Sequence, residues 1–137
     1  MRLAQFDAAP ELVLRAIDEG LEEYNHSVAP LKDVRPLAVV LFADDQSIIG
    51  GAVGRTWGRC CELLQLWVSP GHRRGGHGST LLTEFELRGR VRGCDVFYLT
   101  TLSYQAPDFY IQRGYGILAK IEGYPNGIAK YLLQRQA

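Results

Sequence analysis

The feature that most constrains this chain is a glycine- and arginine-rich turn between an apolar segment and an amphipathic one. Residues 63–69 read LLQLWVS, residues 70–79 read PGHRRGGHGS, and leucines follow at positions 81 and 82. A strand, a glycine-rich turn and a helix N-terminus together form an anion site, because unpaired backbone N–H groups and the positive end of the helix dipole converge there. The sequence therefore predicts a phosphate-binding turn, and the rest of the chain must identify the ligand.

Length and charge limit the class of protein. The chain has 137 residues, enough for one domain with a hydrophobic core, and we predict a single domain over residues 1–137. Lysine and arginine together number 15, as do aspartate and glutamate, and this balance argues against a nucleic-acid partner. No apolar run has the length of a membrane span, and the first residues lack the apolar core of a signal peptide. We therefore predict a cytoplasmic protein without a membrane partner.

The cysteines Cys60, Cys61 and Cys94 indicate neither a disulfide framework nor a metal site. Their number is odd, two of them are adjacent, and none has Cys-x-x-Cys spacing. All three lie in apolar, strand-like segments, so we interpret them as small core residues. No metal is predicted.

Hydrophobic periodicity predicts alternating strands and helices. The helix after the turn carries Leu81, Leu82 and Phe85 on one side, and Gly93 ends it. A strand reached through this helix should run parallel to the strand before it, whereas the earlier strands form an antiparallel meander. We predict an α/β (α+β) fold with a mixed, mostly antiparallel central sheet of about seven strands, flanked by about three or four helices. The predicted strands are residues 2–6, 37–42, 48–57, 60–69, 95–101, 115–122 and 128–133. The predicted helices are a first helix capped by Asp7, with Pro10 in its first turn, that runs to about residue 25, the segment from the glycine turn to residue 93, and residues 106–113.

Two common phosphate motifs fit the turn poorly. A P-loop needs a lysine directly after its last glycine, but His77 follows the glycine that completes this spacing at residues 71–76. A dinucleotide-binding fingerprint needs a third small residue where Leu81 stands, and it follows the first strand of a βαβ unit rather than an antiparallel meander. A plain turn with solvated arginines is the remaining simple interpretation.

A third motif, Arg-x-x-Gly-x-Gly, fits better. It occupies residues 73–78, after Val-x-Pro at residues 68–70 and before the leucine pair at 81–82. This segment resembles the acetyl-coenzyme A loop of the GNAT superfamily of N-acetyltransferases. Residues 109–115, FYIQRGY, resemble the second signature of that family, and the predicted order of elements resembles the GNAT fold. The resemblance covers nearly the whole chain and implies an acyltransferase enzyme that uses acetyl-coenzyme A.

The resemblance also implies which residues bind acetyl-coenzyme A. Backbone N–H groups of the glycine turn would hold the pyrophosphate, and Arg73 or Arg74 would add positive charge. The strand segment at residues 66–68 would pair its backbone with the pantetheine arm. In the family this strand carries a bulge and splays from the next parallel strand, which opens a cleft for the thioester. The implied cofactor-binding residues are Leu66, Trp67, Val68, Arg73, Arg74, Gly75, Gly76, His77, Gly78, Ser79 and Ser103.

Three of these positions depart from the family pattern. Arg74 stands where the family often has glycine, and His77 stands where it usually has an aliphatic residue. Neither change removes a backbone donor. Ser103 stands where many members have asparagine, and its hydroxyl reaches less far.

Acyl transfer to an amine needs a neutral amine, donors for the oxyanion and a proton for the departing thiolate. Tyr110 matches the tyrosine of the second signature and is our candidate for the general acid, with packing against the cofactor as the alternative. Glu62 is the candidate base because an acid in a central strand must be paired or face a cleft. A salt bridge is its alternative role. Glu23 and His26 at the end of the first helix are weaker candidates, and the family resemblance also allows no dedicated base.

The acceptor is not identified by any motif. We expect residues 27–36 and 124–127 to select it, and small molecules and peptides both remain open as amine acceptors. We predict an N-acetyltransferase that works by direct attack in a ternary complex. A non-catalytic acyl-coenzyme A-binding module with the GNAT fold is the alternative. Leu87 and Val91 form a second apolar patch on the helix after the turn, which suggests a homodimer as a hypothesis.

Overall fold

A computed structural model describes residues 1–28 and 31–136. The chain forms two compact units, Met1–Asp33 and Val34–Ala137. The single domain over residues 1–137 therefore stays a prediction. No helix in these described ranges is long and apolar enough to cross a membrane.

The first unit consists mainly of helix α1, Glu11–Val28. The backbone N–H of Leu14 donates to the carbonyl oxygen of Pro10, so the helix starts beside that proline and not at the predicted cap Asp7. The predicted strand at residues 2–6 is wrong, because residues 1–6 adopt no regular structure. Within residues 2–6 only Leu3, Ala4 and Phe6 are apolar, and a strand needs a hydrogen-bonded neighbour to be stable. The predicted loop at residues 27–36 lies partly outside the described residues and contains one 3₁₀ turn at Leu31–Asp33.

The second unit consists of the elements β1 Arg35–Phe42, β2 Ile48–Trp57, β3 Cys60–Val68, α2 His77–Val91, β4 Val96–Leu102, α3 Pro107–Ile111, β5 Gly116–Ile121 and β6 Lys130–Gln136. Its six strands form one sheet in the order β1-β2-β3-β4-β6-β5. Strands β3 and β4 are parallel, and all other neighbouring pairs are antiparallel. The mixed, mostly antiparallel α/β fold is therefore confirmed, with six strands instead of about seven and with three α-helices in the described residues.

Helix α2 packs on the sheet through the side that its sequence predicts. Leu81, Leu82 and Phe85 are each at most 3% exposed. Glu86 is buried beside them although it is charged, a position that the apolar pattern does not reveal. Leu87 is about half exposed, so the second patch on α2 is accessible and the homodimer stays a prediction.

Strand β3 contains a bulge that determines which side chains reach each face of the sheet. Val53 of β2 is opposite Gln65, whereas Gly54 is opposite Leu63, so Leu64 has no cross-strand partner. A Cβ atom on Gly54 would overlap the carbonyl oxygen of Glu62, so only glycine fits beside the bulge. The bulge lies immediately after the last residue of β3 that pairs with β4.

The parallel pairing of β3 and β4 ends early. It runs from Cys60 opposite Val96 to Leu63 opposite Leu99. Residues 64–68 and 100–102 continue as strands without pairing to each other. The two strands therefore diverge beyond Leu63 and leave a cleft in the sheet, as the GNAT resemblance implies.

Two of the three cysteines are core residues, as predicted. Cys61 and Cys94 are buried, and burial raises the pKa of the Cys61 thiol to about 12. Cys60 is exposed, so its predicted core position is wrong. It is the first residue of β3, where alternation points its side chain away from the core.

Candidate active site

A cavity of about 770 Å³ lies between the end of β3, the glycine turn and helix α3. Nine of the predicted cofactor residues are among its lining residues, so the structure brings the strand and turn segments together. The volume lies within the range of small-molecule sites. The lining consists of Leu66, Trp67, Val68, His72, Arg73, Arg74, Gly76, His77, Gly78, Ser79, Tyr104, Gln105, Ala106, Phe109, Tyr110 and Arg113.

The turn leads into helix α2 through a residue in the left-handed backbone conformation. Gly76 has a φ angle of 79° and occupies the N-cap position, and the helix begins at His77. The N–H groups of the first turn of α2 have no partners within the helix. Gly78 lies next to α3, because a Cβ there would be 3.5 Å from the Phe109 ring. The helix N-terminus therefore borders the cavity as an anion site requires.

Two arginines at this site are held in defined positions. Nε of Arg73 donates to the carbonyl oxygen of Val68 at 2.9 Å, which ties the turn to the end of β3. Nε of Arg113 donates to Oγ of Ser79 at 3.1 Å, and its Nη1 donates to the carbonyl oxygen of Phe109 at 2.7 Å. Both guanidinium groups line the cavity, so positive charge reaches it from the turn and from the segment after α3.

Arg113 is a site residue that sequence reasoning missed. It stands inside the second signature, but at a variable position of that motif, so the motif carries no signal for it. Gln105 and Phe109 were missed too, and both line the cavity. Their common signal is proximity to the signature tyrosine Tyr110 in α3.

Tyr110 lies at the junction of two cavities. Its ring is 8% exposed and makes edge contacts with Phe109 and Tyr115. Burial raises the pKa of its hydroxyl, which keeps the phenol protonated at neutral pH, the form that a proton donor needs. The same ring position also suits the alternative role of Tyr110 in packing.

A second, smaller cavity of about 430 Å³ adjoins the first where β3 and β4 diverge. The two cavities share Leu66, Trp67, Gln105 and Tyr110 in their linings. The remaining lining residues of the smaller cavity are Leu64, Gln65, Thr100 and Thr101. Two ligands, one in each cavity, would therefore both lie beside Tyr110.

The structure places Glu62 in an ion pair. Its Oε1 accepts a hydrogen bond of 2.8 Å from Nε of Arg55 on β2, and its side chain is 21% exposed. Glu62 is not among the described lining residues of either cavity. The candidate base thus stands apart from the candidate acid. In the first unit, Nε2 of the weaker candidate His26 lies 3.5 Å from Oε1 of Glu22.

Two predicted cofactor residues also lie outside the described lining of the larger cavity. Oγ of Ser103 accepts a hydrogen bond from the backbone N–H of Ala129, and its own N–H donates to the Ala129 carbonyl oxygen. Its hydroxyl thus joins the end of β4 to the segment before β6. Gly75 lies in the turn against His77, without contributing to the lining.

The chain is similar to known acetyltransferases in sequence. The profile of the acetyltransferase (GNAT) family matches residues 6–116. Blasticidin-S acetyltransferase of Streptomyces morookaense is 35% identical over 111 residues, which are 78% of this chain and 82% of that relative.

Solved structures share the fold. An acetyltransferase from Bacillus cereus superposes with a TM-score of 0.82 at 25% identity, and the match covers 98% of each chain. The PaiA N-acetyltransferase of Thermoplasma acidophilum, solved in complex with coenzyme A, has the same fold at 19% identity. Its TM-score is 0.62, and the match covers 96% of this chain and 81% of that one. Because the family profile spans most of the sequence and a relative matches over most of both lengths, the chain belongs to the GNAT family of acetyltransferases and is an acyltransferase enzyme.

Proposed function

We propose that this enzyme transfers an acetyl group from acetyl-coenzyme A to a primary amine by direct attack in a ternary complex. The observation that carries the proposal is the position of Tyr110 in the lining of both cavities, where β3 and β4 diverge. The larger cavity would take acetyl-coenzyme A and the smaller one the acceptor. The two reactants would then meet beside one phenol.

The residues around the larger cavity suit a coenzyme A phosphate group. Unpaired N–H groups open α2, and Arg73, Arg74 and Arg113 contribute cationic side chains. The protein of this fold from Thermoplasma acidophilum is solved with coenzyme A, which supports the same assignment. When bound, acetyl-coenzyme A supplies an acetyl group activated as a thioester. Residues 66–68 would align the pantetheine arm through their backbone.

The protein groups at the junction then have separate roles. A backbone N–H at or near Val68 would donate to the developing oxyanion, and Tyr110 would give its proton to the departing sulfur. The three cysteines lie outside the described linings, which supports direct transfer over an acyl-enzyme on sulfur. Glu62 is paired with Arg55 outside these linings, so the proposal includes no dedicated base.

Binding is tested by thermal unfolding with acetyl-coenzyme A. A ligand at about one hundred times its Kd should stabilise the folded state by about 2.7 kcal/mol and raise the Tm accordingly. Gly78→Glu should abolish the shift, because a carboxylate would fill and charge the anion site. Gly116→Glu is the matched control, since Gly116 lies on β5 with open space around its Cα. The absence of any shift at millimolar ligand would refute the proposed cofactor.

Turnover is tested by coenzyme A release with a panel of amines. Blasticidin S belongs in the panel because a relative is named for it. Released coenzyme A should be quantified by chromatography, or with Cys60→Ser protein, because exposed Cys60 would react with thiol reagents. A thermal shift without transfer to any amine would favour the non-catalytic binding module.

A further inference from the structure

The smaller cavity is lined by uncharged side chains of several kinds. Within the described part of the chain its polar and aromatic lining consists of Gln65, Trp67, Thr100, Thr101, Gln105 and Tyr110. Amides and hydroxyls of this kind donate and accept hydrogen bonds without offering a counter-charge. Such a lining matches a neutral ligand with several hydrogen-bonding groups.

Trp67 provides a flat apolar surface in this cavity. Its side chain is 49% exposed, although it lies in a central strand of the sheet. The residue directly opposite on β2 is Gly51, which has no side chain to cover the indole. On the other side β4 has already diverged from β3. The indole therefore has room for a planar ring to stack against it, an arrangement that aromatic pairs favour.

Both a cation and a neutral planar ring can bind against a tryptophan, and the lack of charge in the described lining favours the neutral ring. A cation over an indole gains about 0.5–2 kcal/mol, whereas moving an ion from water into a site without a counter-charge costs several kcal/mol. The glutamine and threonine side chains here are neutral, so they offset this cost only in part. A neutral planar ring loses little on entry and gains both stacking and hydrogen bonds.

We infer that the acceptor is an uncharged molecule that carries its reacting amine on a planar, hydrogen-bonding ring, that is, an arylamine or a heteroaromatic amine. This inference rests on the proposed function. It distinguishes such acceptors from polyamines, aminocyclitols and lysine side chains, whose amines are cationic at neutral pH.

The chemistry of the transfer agrees with this acceptor class. The neutral amine nitrogen forms a bond to the acetyl carbon, and the carbon–sulfur bond breaks with its electron pair on sulfur. Tyr110 gives its proton to the sulfur, the nitrogen releases one proton to water, and Tyr110 regains a proton from water, which yields an N-acetyl amine and coenzyme A thiol. An alkylammonium acceptor would need to lose a further proton before attack, and Glu62 is already paired with Arg55.

A matched pair of acceptors tests the inference. Para-aminobenzamide carries a neutral ring amine, and para-aminomethylbenzamide differs by one methylene that makes the amine a cation at neutral pH. We expect kcat/KM at neutral pH to be at least about tenfold higher for the ring amine, which is about 1.4 kcal/mol. The rate with the aminomethyl compound should rise with pH, and the rate with the ring amine should stay level.

Two variants connect the preference to the cavity. Gln65→Glu adds a carboxylate and should move the ratio of kcat/KM values at least about tenfold toward the aminomethyl compound. Gln136→Glu, at the exposed last residue of β6, is its control. Trp67→Leu should raise KM for the ring amine several-fold, and Trp57→Leu should not, because Trp57 is exposed at the far end of β2. The wild-type comparison stands even where a variant fails to fold.

The outcomes separate the inference from the proposed function. Preference for the aminomethyl compound, or transfer to polyamines and aminocyclitols but not to ring amines, would overturn the inference and leave the acetyltransferase proposal intact. Coenzyme A binding without transfer to any amine would overturn both. Preference for the ring amine that Gln65→Glu reverses would support both.

Discussion

The Arg113 guanidinium lies 3.8 Å from the centroid of the Phe109 ring, within the lining of the larger cavity. The same ring packs against Gly78 at the start of α2. Together with the hydrogen bond from Arg113 to Ser79, this contact joins the second signature to the glycine turn. The two motifs that carry the family resemblance are thus in direct contact at the candidate cofactor site.

We expect Arg113→Met to raise KM for acetyl-coenzyme A about tenfold, because a charge-assisted contact to phosphate is worth about 1.5–3 kcal/mol. Arg113→Lys should keep the positive charge but lose the planar guanidinium that stacks on Phe109. KM for acetyl-pantetheine, which lacks the phosphates, should hardly change in either variant. Arg88→Met on the exposed side of α2 is the control. Equal losses with both acyl donors would mean that Arg113 only supports the fold.

Tyr110→Phe should lower kcat by about 10²- to 10⁴-fold, the usual contribution of a general acid. The Kd of acetyl-coenzyme A should change little, because the phenyl ring keeps the contacts with Phe109 and Tyr115. Steady-state kinetics and calorimetric titration measure the two quantities separately. Tyr131→Phe on β6, outside both cavities, is the hydroxyl control. An unchanged kcat would leave Tyr110 with a packing role alone.

The central part of the fold is predictable because its signals are local. Periodicity alone identifies the strands that become β2 and β3, and the side of α2 that carries Leu82 and Phe85. The glycine turn between β3 and α2 is predicted by its phosphate-binding chemistry. These features depend on residues close together in sequence, where pattern and propensity agree.

The bulge in β3 explains why the site was predicted less well. Cys61 and Leu63 face the core, and uninterrupted alternation would place Gln65 and Trp67 on that face as well. The extra residue at Leu64 reverses the alternation, so that Leu66 packs against the core instead. Gln65 and Trp67 are thereby exposed at the smaller cavity. Sequence periodicity indicates a strand here but does not locate the bulge that decides its faces.

Long-range partners account for the other differences. Ser103 bonds to Ala129, and Glu62 bonds to Arg55, and neither partner follows from a local motif. The buried charge of Glu86 is likewise compensated from β6 and from the segment before β5. No local motif encodes the partners of such positions, so a role taken from a single motif position does not include the long-range contacts that fix the side chain.

Glu62→Gln should change kcat/KM by less than about threefold and leave its pH dependence intact. Its carboxylate is paired with Arg55 outside the described cavity linings, and exposed or partly exposed pairs contribute only about 0–1 kcal/mol to stability. A dedicated base would instead cost about 10²-fold or more and remove the limb of the profile at low pH. The pH profile of kcat/KM with a single amine decides between these results.

The buried cluster of Tyr115, Glu86 and Arg135 should make stability depend on alkaline pH. The Tyr115 hydroxyl donates to Oε2 of Glu86 at 2.7 Å, and Nη1 of Arg135 donates to Oε1 at 3.0 Å. Burial, and then the hydrogen bond to Glu86, raises the pKa of Tyr115 above its ordinary value. Because the pKa in the folded state is the higher one, the stabilisation is complete below about pH 10 and is lost as pH rises beyond it.

Tyr115→Phe removes both the hydrogen bond and the titrating group. We expect it to lower the free energy of unfolding by about 1–3 kcal/mol at neutral pH, because the acceptor of the lost hydrogen bond is the buried carboxylate of Glu86. Above about pH 10 its stability should fall less steeply than that of the wild type. Urea unfolding at a series of pH values measures both effects, and Tyr104→Phe at an exposed tyrosine is the control. Parallel curves for the wild type and Tyr115→Phe would show that alkaline destabilisation arises from other groups.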